Sequence, residues 1–212
     1  GGKRMRTNRR RTMNLISSYE RIEYIESNGS SYIDTGIYGS DSLDIEISLS
    51  SIGNIGFFLI SRESNLKRTY GVVFEQVKSK LRFDYYNNIN YLDVFVNKRV
   101  IIRKSGLGIY VNNVFSKSLP GNKFTTPSTL LMFGILQNGA VNSSPAGSKI
   151  YFLKMKENGM LVRDFIPVKR KSDGVIGMYD LVGRKFYTSP NGVAFTGEWQ
   201  LINKNILWQN NG

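Results

Sequence analysis

The sequence predicts an all-β, antiparallel sandwich, and three observations point there. Apolar and polar residues alternate over short runs, most cleanly in Leu43-Asp44-Ile45-Glu46-Ile47-Ser48-Leu49, the period-two pattern of a strand with one face buried. Such runs recur roughly every 8–14 residues with Gly, Asn, Asp or Ser between them, the rhythm of sandwiches and barrels. Helical periodicity is missing; the best candidate is a single turn near Pro145-Ala146-Gly147.

The strands follow in order. The segment 19–26 alternates and is broken by Ser27-Asn28-Gly29-Ser30; Tyr32-Ile33-Asp34-Thr35-Gly36 opens the next strand. After 43–49 come 56–60, 70–74 and 80–86, then 94–96 and 100–102. The run 107–111 enters an Asn112-Asn113 turn that Val114-Phe115 leaves. Beyond a loop holding Pro120 and Pro127, Leu130-Leu131-Met132-Phe133 reads as a central buried strand, and 138–148 as a Gly/Ser/Asn loop. The stretch 149–187 is the richest. Asn158-Gly159 offers a turn whose Gly tolerates positive φ, 161–166 returns and is expected to stop at Pro167, Ser172-Asp173-Gly174 turns again, and 177–180 begins one more strand.

Composition narrows the chemistry. The chain has 212 residues, 41% of them hydrophobic, enough to bury one sizeable core. Cys and His are both absent, which removes disulfides, thiolate metal sites, His-based triads and the commonest neutral-pH base. The net charge of +13 is concentrated at the start: Lys3, Arg4, Arg6, Arg9, Arg10 and Arg11 fall in the first thirteen residues, with no acid. So basic and apolar-poor a run does not fold by itself. It lacks a following apolar h-region, and apolar runs such as 57–60 are far too short to span a membrane. The expected organisation is a basic arm over 1–18, one domain over 19–200 and a tail over 201–212.

Two passages resemble a known family. YERIEYIESNGSSYIDTG (19–36) is similar to the opening segment of concanavalin A-like, laminin G-like jelly-roll domains of gut bacteria and their tailed phages. The stretch from Asn158-Gly159 to Tyr187, with LVRDFIP, DGVIGMYDLV and KFY, is similar to the closing segment of the same domains. This sequence departs from the family's pattern at Val168, where Cys is frequent, and at Ser31, where Gln is usual. The resemblance implies a jelly roll over 19–200. It also implies a structural subunit of a tailed-phage virion, capsid- or tail-associated, made in the host cytoplasm. The fold alone serves lectins, adhesins, glycosidases and virion proteins, so an adhesin module for host surface glycans is the alternative.

Candidate residues follow. The arm cations and the tail patch Ile206-Leu207-Trp208 are expected to bind neighbouring virion proteins, Trp being a favoured interface anchor. Nucleic acid is a weaker partner for the arm, which has no aromatic side chain for base stacking, and a plain solubilising extension is a third reading. For glycans, Tyr85, Tyr86, Asn88 and Tyr91 lie in the aromatic, Asn-rich stretch 83–91, against the plainer view that these are core aromatics. No catalytic residue is expected: Asp44 and Glu46 share a strand face, but Leu49 stands where a third acid would complete the pattern of jelly-roll glycosidases. No cofactor is expected either. Calcium would draw on Asp34, Asp41, Asp84, Asp93 and Asp173, which are dispersed and are also ordinary turn formers. Arg163-Asp164 reads as architectural, and 169–171 as a solvated basic loop.

Overall fold

Alternation becomes strand: among the described residues there are eighteen strands and no helix. The structure is a computed structural model, and it describes residues 18–198 other than 53–55, 64–66, 76–78, 95, 138–139 and 145. In chain order the strands are β1 (Tyr19–Arg21), β2 (Ile25–Glu26), β3 (Ile33–Ser40), β4 (Leu43–Ser51), β5 (Gly56–Ser61) and β6 (Thr69–Glu75). Next come β7 (Lys80–Tyr86), β8 (Asn88–Leu92), β9 (Val100–Ser105), β10 (Gly108–Val111), β11 (Val114–Ser118) and β12 (Thr125–Met132). The last six are β13 (Gly134–Gln137), β14 (Ala140–Ser143), β15 (Ser148–Glu157), β16 (Met160–Arg170), β17 (Ile176–Asp180) and β18 (Lys185–Tyr187).

Two antiparallel sheets face each other. The larger runs β11-β10-β9-β4-β15-β16-β17-β18 and the smaller β3-β12-β5-β6-β7-β8, with β13-β14 a separate hairpin. β15 and β16 are paired only from Leu153↔Phe165 out to their turn. Beyond that they part; β2 fills the gap along β15, and β1 along β16, making ten strands. Between the sheets lies one main core. Ile45, Ile47 and Leu49 of β4 meet Tyr70, Val72 and Phe74 of β6 and Phe83 of β7, all within 5% of complete burial. Each such side chain contributes about 1.5–3 kcal/mol by leaving water.

The predicted turns behave as their residues dictate. Asn158 and Gly159 both take positive φ (49° and 79°), as do Asn112 and Asn113 (49° and 68°), the conformation whose twist suits a two-residue hairpin. Asp173 accepts from Val175 N at 3.1 Å and holds Arg170 in a two-pronged ion pair, fixing the turn before β17.

Several sequence expectations need correction. β16 does not stop at Pro167 but continues to Arg170. Pro167 falls between Phe165, the last residue paired with β15, and Val168, the first paired with β1, a break in the ladder that tolerates a missing donor. Pro127 likewise sits inside β12, at a shift of register between Thr125 and Thr129. No strand forms at Val94 or Val96; a tight turn at Tyr86 and Asn87 brings the Asn-rich segment back as β8 instead. Part of the expected loop 138–148 pairs as β14, and the residues described around 146–147 form a turn, not a helix. The arm cations Lys3, Arg4, Arg6, Arg9, Arg10 and Arg11, and the tail residues Ile206, Leu207 and Trp208, lie outside the described residues.

The two passages that resemble the jelly-roll family meet in space. Arg163 of β16 donates from Nε to the Thr35 carbonyl of β3 at 3.2 Å and from Nη1 to its neighbour Val162 O at 2.9 Å, with the buried Asp180 carboxylate 3.7 Å from Nε. Asp180 in turn accepts from the amides of Asp164, Val182 and Gly183 at 2.9–3.0 Å. Thr35 hydroxyl donates to Leu130 O at 2.8 Å. Motif residues thus tie an edge of the small sheet to the large one, the architectural role expected of Arg163.

Candidate functional site

The side chains of β7 divide by alternation. Leu81, Phe83 and Tyr85 enter the core, while Arg82 and Asp84 turn to the outer face of the six-stranded sheet. Register places Arg82 between Val73 of β6 and Tyr91 of β8, and Asp84 between Gly71 and Ile89. A chain of polar contacts crosses this face. Arg62, just after β5, donates from Nη2 to Asp84 Oδ2 at 3.0 Å; Arg82 Nε lies 3.1 Å from Asp84 Oδ1; Arg82 Nη1 reaches Glu75 Oε2 at 2.5 Å; and Tyr91 hydroxyl donates to that same oxygen at 2.9 Å. Gly71 is required here because a Cβ would run into the Leu59 carbonyl across β5.

These charges are scarcely hydrated. The side chains of Asp84, Arg82 and Arg62 are 2%, 13% and 18% exposed. Burial pushes the Asp84 carboxyl above its ordinary range despite the opposing pull of Arg82 and Arg62. Three of the buried polar atoms, Asp84 Oδ1, Arg82 Nε and Arg62 Nε, make no aligned hydrogen bond; the Arg82–Asp84 approach at 3.1 Å is an ion-pair contact with poor alignment. Beside the chain lies a small buried apolar cluster, Ile60, Val73 and Ile135, with the half-buried Phe57 packed against it.

The four residues expected to bind glycan do not form one site. Tyr85 is wholly buried, edge-on to Phe124 at 4.9 Å, its hydroxyl pushed up to about 12 by burial, so it cannot stack on a sugar. Tyr86 occupies the hairpin turn with φ of 56°, unusual for so bulky a residue, and packs on Phe124 at 5.6 Å. Asn88 is exposed and donates to Asn87. Tyr91 alone joins the polar chain. Sequence reading missed Arg62, Glu75 and Arg82, and weighed Asp84 as a calcium ligand and as part of the aromatic stretch 83–91. A usable signal existed: two charges at i and i+2 on a strand whose other face is Leu-Phe-Tyr.

The remaining candidates have other partners. Asp34 accepts from Gly36 N, Asp41 from Lys123 and Phe124 N, Asp93 from Lys80 and Asp173 from Arg170. Among the described residues no group of three or more acidic side chains is placed to hold a metal ion. Asp44 and Glu46 line a hollow of about 230 Å³ on the outer face of the ten-stranded sheet, among Arg103, Lys104, Lys154 and Lys156. Asp44 there accepts from Gly106 N at 2.9 Å and from the fully buried Lys104 at 3.2 Å. Ser31, where the family's pattern has Gln, is also fully buried.

No family model and no curated protein matches this sequence. Among solved structures, a protein of Bacteroides ovatus described as a "putative carbohydrate binding protein" is similar, with a TM-score of 0.53 at 13% identity. The match covers 84% of this chain and 61% of that one, so this chain spans less than two thirds of that protein's length. At this identity the likeness is one of fold, an all-β sandwich.

Proposed function

We propose that this chain is a non-enzymatic carbohydrate-binding β-sandwich of the concanavalin A-like type, with its ligand face on the outside of the six-stranded sheet. The observation that carries the reading is the Arg62–Asp84–Arg82–Glu75–Tyr91 chain. At Asp84 burial outweighs the pull of Arg82 and Arg62 on the carboxyl, so holding it ionised there works against the fold. Side chains held at a cost to stability need another use. Carboxylates and guanidinium groups fixed beside a tyrosine suit a sugar, whose hydroxyls both donate and accept and whose C–H face packs on an aromatic ring. The likeness to the Bacteroides ovatus protein supports this reading through the words that describe that protein.

A second reading, attachment to a virion, is favoured by the placing of Ser18 and Glu198. Lys171 N donates to Ser18 O and Glu23 N to Glu198 O, so both lie on the ten-stranded sheet, away from the ligand face. An arm over 1–18 and a tail over 201–212 fastened to neighbouring virion proteins would leave that face turned outward.

A glycan array probed with the full chain tests the first reading. Specific micromolar binding is expected, lost in Tyr91→Ala and in Asp84→Asn. Binding to no glycan, or equal binding by both variants, overturns it.

A further inference from the structure

A second cleft opens where the sheets do not meet. β3 edges the small sheet and β18 the large one, and no ladder joins them. Between them lies a cleft of about 520 Å³, lined by Asp34, Gly36, Arg163, Lys185, Tyr187 and Pro190 among others. That is the size of a small-molecule site, roughly 300–1,000 Å³. We propose that this cleft binds a sugar acid of the hexuronate kind, through its carboxylate. The site is distinct from the ligand face above and does not rest on it.

The walls are set before any ligand arrives. Ser189 hydroxyl accepts from Tyr32 N at 3.1 Å and donates to Asn191 Oδ1 at 2.6 Å, and Asn191 Nδ2 donates to Ser30 O at 2.9 Å, latching the loop after β18 to the start of β3. Arg163 is immobilised by its Nε and Nη1 bonds. Its Nη2 makes no hydrogen bond among the described residues and lies beside Gly36, where an added Cβ would stand 3.6 Å away. Gly36, at φ of 70°, accommodates the turn in β3 that Asp34 Oδ1 caps and leaves the guanidinium edge uncovered.

The mixture of groups selects the ligand. Arg163 and the exposed Lys185 offer two cations to one carboxylate, the arginine through Nη2, the nitrogen its backbone bonds leave uncommitted. Asp34 beside them accepts from hydroxyls and repels a doubly charged anion such as sulfate. Tyr187, anchored edge-on to Phe165 at 5.1 Å, and Pro190 supply the apolar surface for a sugar ring. Preset walls spare the ligand the cost of ordering them.

Nuclear magnetic resonance titration of the full chain tests the proposal, with sodium glucuronate and methyl β-glucuronide as probes and glucose and sodium sulfate as controls at constant ionic strength. Saturable binding of glucuronate is expected, with glucose and sulfate roughly tenfold weaker or worse. Binding of the methyl glycoside as well would identify the acidic unit of a glycan as the source; binding of glucuronate alone would identify the free sugar. Lys185→Glu, an exposed change, is expected to weaken glucuronate binding roughly tenfold, while Tyr91→Ala leaves it unaltered. Binding of glucose or sulfate equal to glucuronate, no effect of Lys185→Glu, or loss of binding in Tyr91→Ala would overturn the proposal. Because Tyr91→Ala disables only the other face, failure of either reading leaves the other standing.

Discussion

Both outer faces of this sandwich carry arginines beside tyrosines, yet they hold them in opposite ways. On the six-stranded sheet Arg62 and Arg82 are sunk against a carboxylate that is itself 2% exposed. On the ten-stranded sheet the cations lie over rings: Arg99 over Tyr151 at 4.4 Å, Arg103 over Tyr110 at 4.0 Å and Lys149 over Tyr24 at 4.0 Å. A cation stacked on a ring covers apolar surface with its stem and keeps its charged end near water. A cation buried against an acid gives up that water and depends on its partner. The first arrangement is an ordinary solvated face. The second is costly to the fold, and that cost marks it as the place to look for a ligand.

The sharpest way to break the comparison is Asp84→Ala. It would leave Arg62 buried without its counter-charge and Arg82 with Glu75 alone, and a loss of about 3–5 kcal/mol is expected, read by chemical denaturation near neutral pH. A loss below ~1 kcal/mol, the range of a surface pair, would mean that water reaches the two arginines and that the faces do not differ. A smaller effect should appear in pH dependence. The folded-state Asp84 carboxyl is raised above its ordinary 3.8, so between those two values the native state holds more protons than the unfolded chain. Stability therefore falls as pH rises through that window and levels off above it. The carboxamide of an Asp84→Asn variant does not titrate, so subtracting that variant's pH–stability curve from that of the wild type should isolate the decline. A flat difference would show that the two arginines offset burial at Asp84, and a rise with pH that they outweigh it. The exposed pairs of Asp93 and Asp173 are common to both proteins and cancel in the subtraction, which their own lowered carboxyls would otherwise oppose.

How much of this was legible in the sequence follows from what each residue needs. Period-two alternation gave the strands over 43–49 and 80–86, because burial of one face is a local demand. Asn158-Gly159 and Asn112-Asn113 gave their turns, since few other residues accept positive φ. The Tyr86–Asn87 turn was not legible. Its first residue has positive φ but a bulky side chain, held by packing on Phe124 from a distant loop. Pro167 and Pro127 misled because the breaks that admit them arise from partner strands, β1 and β3, far away in sequence. The polar chain was half legible. Arg82 and Asp84 share a face by spacing alone, but Arg62 and Glu75 reach them only once β5, β6 and β7 are in register. Tyr85 was legible through alternation: it shares a strand face with Phe83, and both enter the core, as the plainer view of the stretch 83–91 has it.

The smallest effect is expected on the ten-stranded sheet, at Arg103. Its guanidinium lies over the Tyr110 ring, which in turn meets Phe115 of the edge strand β11 edge-on at 5.8 Å. β11 is exposed along its whole length, so the stack ends at solvent and not in a desolvated pocket. Such a contact contributes about 0.5–1 kcal/mol, and Arg103→Ala should cost no more, measured by the same denaturation as Asp84→Ala. Arg103 also stands opposite Glu46 in the ladder between β9 and β4, both residues half-buried, and any attraction across that distance is screened by salt. The small loss should therefore shrink further at high ionic strength, whereas the loss at Asp84 should persist. If Arg103→Ala proved as damaging as Asp84→Ala, burial of charge would no longer separate the two faces, and the case for a ligand on the six-stranded sheet would lose its physical basis.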